Sequence, residues 1–173
     1  MTLTAGFRCT DGFIIAADME ISLGAVNVQG HKLLMSRIDE PFTFCIAIAG
    51  DMSYGLAAAQ RVREAIRQLS LPSFANAKQS IRETLAEFYE HHMRHNWRAM
   101  GLDPPGFDLI IGFEWRAPES AHSRDTFGVV ATDNEVVYDV EDIVFCGSGN
   151  EAAAIAAERL FDNRIHPTAV TQH

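Results

Sequence analysis

The stretch Phe42–Gly50, FTFCIAIAG, is apolar at nearly every position. A strand with one wet face alternates apolar and polar side chains, and this one does not. It therefore predicts a strand buried on both faces, lying inside a layered structure. Phe13–Ala17, FIIAA, is a second continuous apolar run and reads the same way. Thr2–Cys9 alternates loosely and predicts a strand, joined to the next by a tight turn at Thr10-Asp11-Gly12 with glycine at a positive φ. The segment KLLMSRIDEPFTFCIAIAG predicts a strand pair around a turn at Asp39-Glu40-Pro41.

Two helices are expected next. Leu56, Ala59, Val62, Ile66 and Leu69 recur at steps of three and four, and Leu71-Pro72-Ser73 breaks the pattern. The second helix is expected from about Asn76 to Trp97, with Ile81, Leu85 and Phe88 on one face and an Asn76–Gln79 capping box. FDLIIGFEW predicts a strand and RAPESAHSRDT an exposed polar turn. FGVVATDNEVVYDVEDIVFCGSG predicts a hairpin turning at Asp133-Asn134, then one more strand. NEAAAIAAERLF predicts an alanine-rich helix suited to close packing. The order of strands, two helices, strands and helix predicts an α/β (α+β) fold. Its architecture is a four-layer α/β/β/α sandwich of two stacked, mainly antiparallel sheets, in a single domain over residues 1–173.

Composition narrows the partners. The formal net charge is -9 and the only lysines are Lys32 and Lys78, which argues against nucleic acid. No apolar run reaches membrane-spanning length, and the start lacks a basic segment followed by an apolar one, so no membrane partner and a cytoplasmic location are expected. Cys9, Cys45 and Cys146 are widely separated and read as buried small hydrophobes. No cofactor is expected. EHHMRH puts His91 and His95 four apart after Glu87, yet H-E-x-x-H is absent and no distant third ligand stands out, so a polar helix face is expected and no metal. Gly147-Ser148-Gly149 lacks the lysine of a phosphate-binding loop and the third glycine of a dinucleotide fingerprint.

Met1 is followed by Thr2, with Asp18 sixteen residues on. Thr2 either simply begins a strand or, with Met1 removed, offers its hydroxyl as a nucleophile and its own α-amine as the base. Asp18 either caps a turn or pairs with a cation, since a charge ending so apolar a run calls for a partner. Gly50 is at least a strand-to-helix turn, and Ser148 alone reads as a helix N-cap.

Several of these pieces in order resemble a proteasome β-type subunit, and equally the related bacterial ring protease of the N-terminal-nucleophile hydrolases. They are TLTAGFRCTDGFIIAAD, Ser22-Leu23-Gly24, Lys32, IAIAGD before a long helix and CGSGNEAA before another. The resemblance covers roughly residues 2–160. It implies a threonine peptidase with Thr2 as nucleophile and Lys32 held by Asp18 beside it. Gly50 would present a backbone N–H to the oxyanion, and Ser148 would bond near the Thr2 amine. Ile21, Ser22, Ile48 and Met52 would line an apolar substrate pocket. It also implies self-association into rings, a separate ATPase unfoldase, and a peptide or protein substrate. A non-catalytic ring subunit and a small-molecule amidohydrolase of the same fold are the alternatives. Family members carry an aspartate and a serine three residues apart, well after the glycine-serine-glycine turn, and a closing helix and strand. Nothing after Ser148 matches these, so the chain is expected to be a C-terminally truncated form, weakly active or inactive, with an exposed sheet edge and a tendency to aggregate.

Overall fold

The computed structural model describes residues 2–23, 26–36, 42–69, 73–115 and 127–165, without the side chains of 22, 23, 26, 27, 42 and 160–165. The expected turn at Asp39-Glu40-Pro41, the break at Leu71-Pro72, the polar turn from Arg116 to Thr126 and the start of a helix at Pro167 lie outside these residues.

Among the described residues, ten strands form three antiparallel sheets. β5 (Leu33–Met35), β6 (Phe42–Gly50), β7 (Phe107–Trp115), β8 (Phe127–Asp133) and β9 (Val136–Asp139) make a five-stranded sheet in chain order. β1 (Thr4–Arg8) lies between β10 (Ile143–Cys146) and β2 (Phe13–Ala17) in a three-stranded sheet. β3 (Glu20–Leu23) and β4 (Val26–Gln29) form a separate hairpin, which the sequence pattern did not lead us to expect.

The doubly apolar β6 is accounted for by its two neighbours. Phe44, Ile46 and Ile48 join a core with Val62 and Ile66 of α1 (Met52–Arg67) and Ile81 and Leu85 of α2 (Phe74–Phe88). Ala47 and Ala49 join a second core with Ile110, Ala131 and Cys146, against which Phe13, Ile15 and Ala17 of β2 pack. Alternate residues of one strand thus serve two cores, and the small ones lie between the sheets. With α4 (Asn150–Ile165) on β10, the layers run helices, five strands, three strands, helix. Each large side chain fully buried this way contributes about 1.5–3 kcal/mol.

Several local expectations are corrected. Gly12 does not take a positive φ: Cys9 N–H bonds the Gly12 carbonyl at 2.8 Å across a four-residue loop, longer than the tight turn that would require it. Leu56 is exposed, because Gly55 and Ala59 form the side of α1 that meets the core. α2 starts two residues earlier than expected, because Ser73 is its N-cap and accepts the Asn76 N–H through Oγ; Gln79 instead bonds Glu83. The helix continues through a π-helical turn, Tyr89–Arg94, into α3 (His95–Ala99). Most described side chains of α4 are exposed, Ile155 among them, so the alanines do not make the close packing expected of them. Cys45 and Cys146 are buried and Cys9 only partly so, since it starts the open β1–β2 loop. Burial pushes the thiols of Cys45 and Cys146 up to about 11 and about 12, which keeps both protonated at neutral pH. Among the described residues, no helix is long and apolar enough to cross a membrane.

Candidate active site

Thr2 is held on several sides by segments distant in sequence. Its carbonyl accepts the Gly149 N–H at 3.1 Å, and the next carbonyl, of Leu3, accepts the Asp18 N–H at 3.0 Å. Its own N–H donates to Ser148 Oγ at 3.0 Å. With Met1 attached this nitrogen belongs to a peptide; it stands where a free α-amine would be after Met1 removal. Antiparallel pairing of β1 with both β10 and β2 brings these segments together, with Thr4 opposite Cys146 and Ala17.

Gly147 completes the grip and was not singled out by itself in the sequence. Its φ is +96°, and a Cβ there would press on the Thr2 carbonyl oxygen and stand 3.0 Å from its carbon. Both the backbone angle and the close approach exclude a side chain. Gly147→Ala is expected to displace Thr2 from Ser148 and to cost about 1–3 kcal/mol of stability. Urea unfolding checks this against Gly12→Ala, whose added Cβ would meet nothing within 4 Å.

Lys32 is 3% exposed, just ahead of β5, with its carbonyl accepting the Ile48 N–H at 3.0 Å. A buried ammonium requires a counter-charge. Lys32 Nζ lies 2.5 Å from Asp18 Oδ1 and donates to Thr2 Oγ1 at 3.4 Å. The Asp18 side chain is 32% exposed, so the pair is dry on the lysine side and wet on the aspartate side. Lys78, the other lysine, pairs with Asp139.

Gly50 ends β6 with φ +80°, and a Cβ there would meet the Gly106 carbonyl oxygen at 2.5 Å. Asp51 follows as N-cap of α1, its carboxylate accepting the N–H groups of Ser53 and Tyr54. The ladder fixes the direction of the Gly50 N–H. Asp51 N–H bonds Gly106 across β7, so alternate residues of β6 face the other edge, where Ile48 N–H bonds Lys32. The Gly50 N–H, two residues beyond Ile48, points out of that same edge, past the end of β5.

A cavity of about 170 Å³ beside Thr2 is lined by Ile21, Ile48, Met52, Lys32, Gly50, Asp51 and Ser53. Of the residues expected to bind substrate, Ile21, Ile48 and Met52 are thus brought to one cavity. For Ser22 only the backbone is described, opposite Asn27 in the β3–β4 hairpin. A second cavity, of about 400 Å³, meets Thr2 on its Gly147 and Ser148 side and is walled by Asp108, Asp133 and Asn134. No local signal in the sequence marks those three beyond a turn at Asp133-Asn134. Arg61 of α1 donates through Nη2 to Nε2 of His92, in the π-helical turn, at 2.8 Å, while the His92 ring packs at a tilt against Phe88. Among the described residues no three His, Cys, Asp or Glu side chains group to hold a metal.

No protein-family model matches the chain, and no curated protein matches it by sequence. Solved structures do match in fold. Anbu from Pseudomonas aeruginosa, solved as a helical assembly, is 14% identical with a TM-score of 0.69, over 91% of this chain and 65% of that one. Anbu from Yersinia bercovieri, described as an ancestral beta-subunit, is 13% identical with a TM-score of 0.68 over the same shares, 91% and 65%. HslV from Trypanosoma brucei is 20% identical with a TM-score of 0.61, over 93% of this chain and 80% of that one. The chain thus spans just under two thirds of the length of these Anbu chains. With its stacked antiparallel sheets between helices, it has the N-terminal-nucleophile hydrolase fold that these structures share.

Proposed function

We propose that this chain is a proteasome-like threonine peptidase subunit whose nucleophile is Thr2, exposed as the first residue by removal of Met1. The observation that carries the reading is the meeting of Lys32 Nζ, Thr2 Oγ1, the Thr2 nitrogen and Ser148 Oγ around one residue. A free α-amine has an ordinary pKa of about 7.7–8.0, suited to taking a proton near neutral pH. In this reading the amine, steadied by Ser148, takes the hydroxyl proton as Oγ1 attacks the peptide carbonyl. The Lys32 ammonium stabilises the developing alkoxide, and Asp18 holds Lys32 in place. The oxyanion is received at the Gly50 N–H, since that edge of β6 is open beyond β5. The tetrahedral intermediate collapses with cleavage of the C–N bond, the protonated amine giving its proton to the leaving nitrogen. Water, losing a proton to the amine, then attacks the acyl-enzyme ester, and that proton passes to Oγ1 as the acid product leaves.

Self-association belongs to the same reading, with the helical assembly of Pseudomonas aeruginosa Anbu as precedent for a protein of this fold. A separate ATPase unfoldase, a protein or peptide substrate and a cytoplasmic setting complete it. The site residues Thr2, Asp18, Lys32, Gly50 and Ser148, with Ile21, Ser22, Ile48 and Met52 for substrate, stand as one proposal. Hydrolysis by a small-molecule amidase of the same fold has no observation in its favour over peptide hydrolysis.

The apolar side chains in the cavity next to Gly50 give a test. A panel of fluorogenic peptides should be cut best after large neutral residues such as leucine or phenylalanine. Preferred cutting after arginine or glutamate would remove Ile21, Ile48 and Met52 from the substrate site.

A further inference from the structure

Thr2 stands between two cavities of different chemistry. One is the 170 Å³ cavity with Ile21, Ile48 and Met52. The other, of about 400 Å³, opens on the Ser148 side and includes Asp108, Asp133, Asn134 and Asn150. Two carboxylates on a surface would by themselves say nothing about a ligand. These two line the same cavity as the proposed nucleophile, Thr2.

The carboxylates are held in place. Asn134 sits at the β8–β9 turn with φ 54°. Tyr89, from the π-helical turn, donates its hydroxyl to Asn134 Oδ1 at 2.5 Å. Asn134 Nδ2 in turn donates to Asp133 Oδ1 at 3.0 Å, and the Asn134 backbone N–H bonds Asp108. Arg94, in the same π-helical turn, pairs with Glu135 beside them. The β8–β9 turn, anchored at two points, carries Asp133 to the cavity, and Asp108 reaches it from the start of β7.

Among the described residues no lysine or arginine forms an ion pair with Asp108 or Asp133. Burial, and after it the Asp133 charge, raises the Asp108 carboxyl above its ordinary range. Holding like charges together opposes folding, as is common where binding rather than stability sets the residue. A cation entering the cavity would relieve it.

Resting on the peptidase reading, we propose that the second cavity takes the leaving-group side of the substrate and selects a basic side chain, arginine or lysine, directly after the cut bond, with Asp108 and Asp133 as the specificity-determining carboxylates. The two sides of the bond then meet different walls: Ile21, Ile48 and Met52 beside Lys32 and Asp51 before it, and Asp108 and Asp133 after it.

The test has a turnover arm and a binding arm. For turnover, two internally quenched peptides differ only in arginine or glutamate after a leucine. Wild-type protein should cut the arginine peptide about tenfold better in kcat/KM, the range expected for partly solvated charge pairs. Asp133→Asn and Asp108→Asn, singly and together, should bring the ratio toward one. Neither change adds bulk, and Asp108→Asn removes an unfavourable charge, so both variants should fold. For binding, fluorescence anisotropy on Thr2→Ala protein compares a dye-labelled peptide beginning with arginine against one beginning with glutamate. The arginine peptide should bind tighter, less so in high salt and in the double variant. Equal cutting of the two peptides by an active enzyme, or a preference untouched by the double variant, overturns the inference and leaves the peptidase reading standing. An arginine preference in binding with no turnover in wild type supports the cationic subsite and sinks the peptidase reading instead.

Discussion

Thr2→Ala is expected to abolish peptide hydrolysis, by roughly 10³–10⁶-fold in kcat, while the fold is kept. Removing a nucleophile leaves only what binding and oxyanion stabilisation supply, which is the origin of that range. The fold should survive because Thr2 is anchored by backbone groups that alanine also has: its carbonyl to Gly149 N–H and its nitrogen to Ser148 Oγ. Alanine gives up only the hydroxyl that accepts from Lys32 Nζ at 3.4 Å, together with the threonine methyl. Steady-state hydrolysis and a melting curve on the same preparation separate the two effects. A variant with wild-type turnover would take the nucleophile away from Thr2.

Lys32→Ala is the second large effect, with an expected loss of about 10²–10⁴-fold in kcat/KM, the range for a positioned group that assists charge or proton movement at the reacting atom. The stability cost should be smaller, about 1–3 kcal/mol. Breaking a fully buried pair costs more than that, because the orphaned charge cannot reach water. Asp18 is 32% exposed on its side chain and can rehydrate when Lys32 is removed. Lys32→Met, which keeps most of the apolar stem, should recover stability and leave activity low. Recovery of turnover in Lys32→Met would mean that the side chain only fills space.

The layered fold was legible where burial on both faces leaves its mark in sequence, but FIIAA misleads: Ile14 is 57% exposed, so β2 buries one face only and not the two expected. FTFCIAIAG has no polar face, and its two sets of alternate residues do enter two cores. The β3–β4 hairpin escaped notice because EISL and VNVQ are short and mix polar with apolar residues. The start of α2 was misplaced because Asn76 and Gln79 imitate a capping box, whereas Ser73 makes the cap bond. Nothing in YEHHMR marks a π-helical turn, which only the anchoring of Asn134 and Glu135 by Tyr89 and Arg94 makes intelligible.

The site was less legible from local pattern. Thr2 and Ser148 are 146 residues apart, and Lys32 is 30 from Thr2 and 14 from Asp18. No helical or strand period links such positions; resemblance to a family named them, and the folded chain links these four through hydrogen bonds. Gly147 could have been suspected, since a glycine on each side of a serine leaves room for another backbone to approach. Asp108 and Asp133 could not, because an aspartate at a strand end is ordinary until the sheet places it beside Thr2.

Whether Thr2 is a free N-terminal nucleophile is decided by intact-mass spectrometry with a threonine-directed covalent inhibitor. The expected result is a chain lighter by one methionine, which gains one inhibitor molecule on a peptide beginning at Thr2 and gains none in Thr2→Ala. Retention of Met1 with no addition, or addition at another residue that persists in Thr2→Ala, would contradict it.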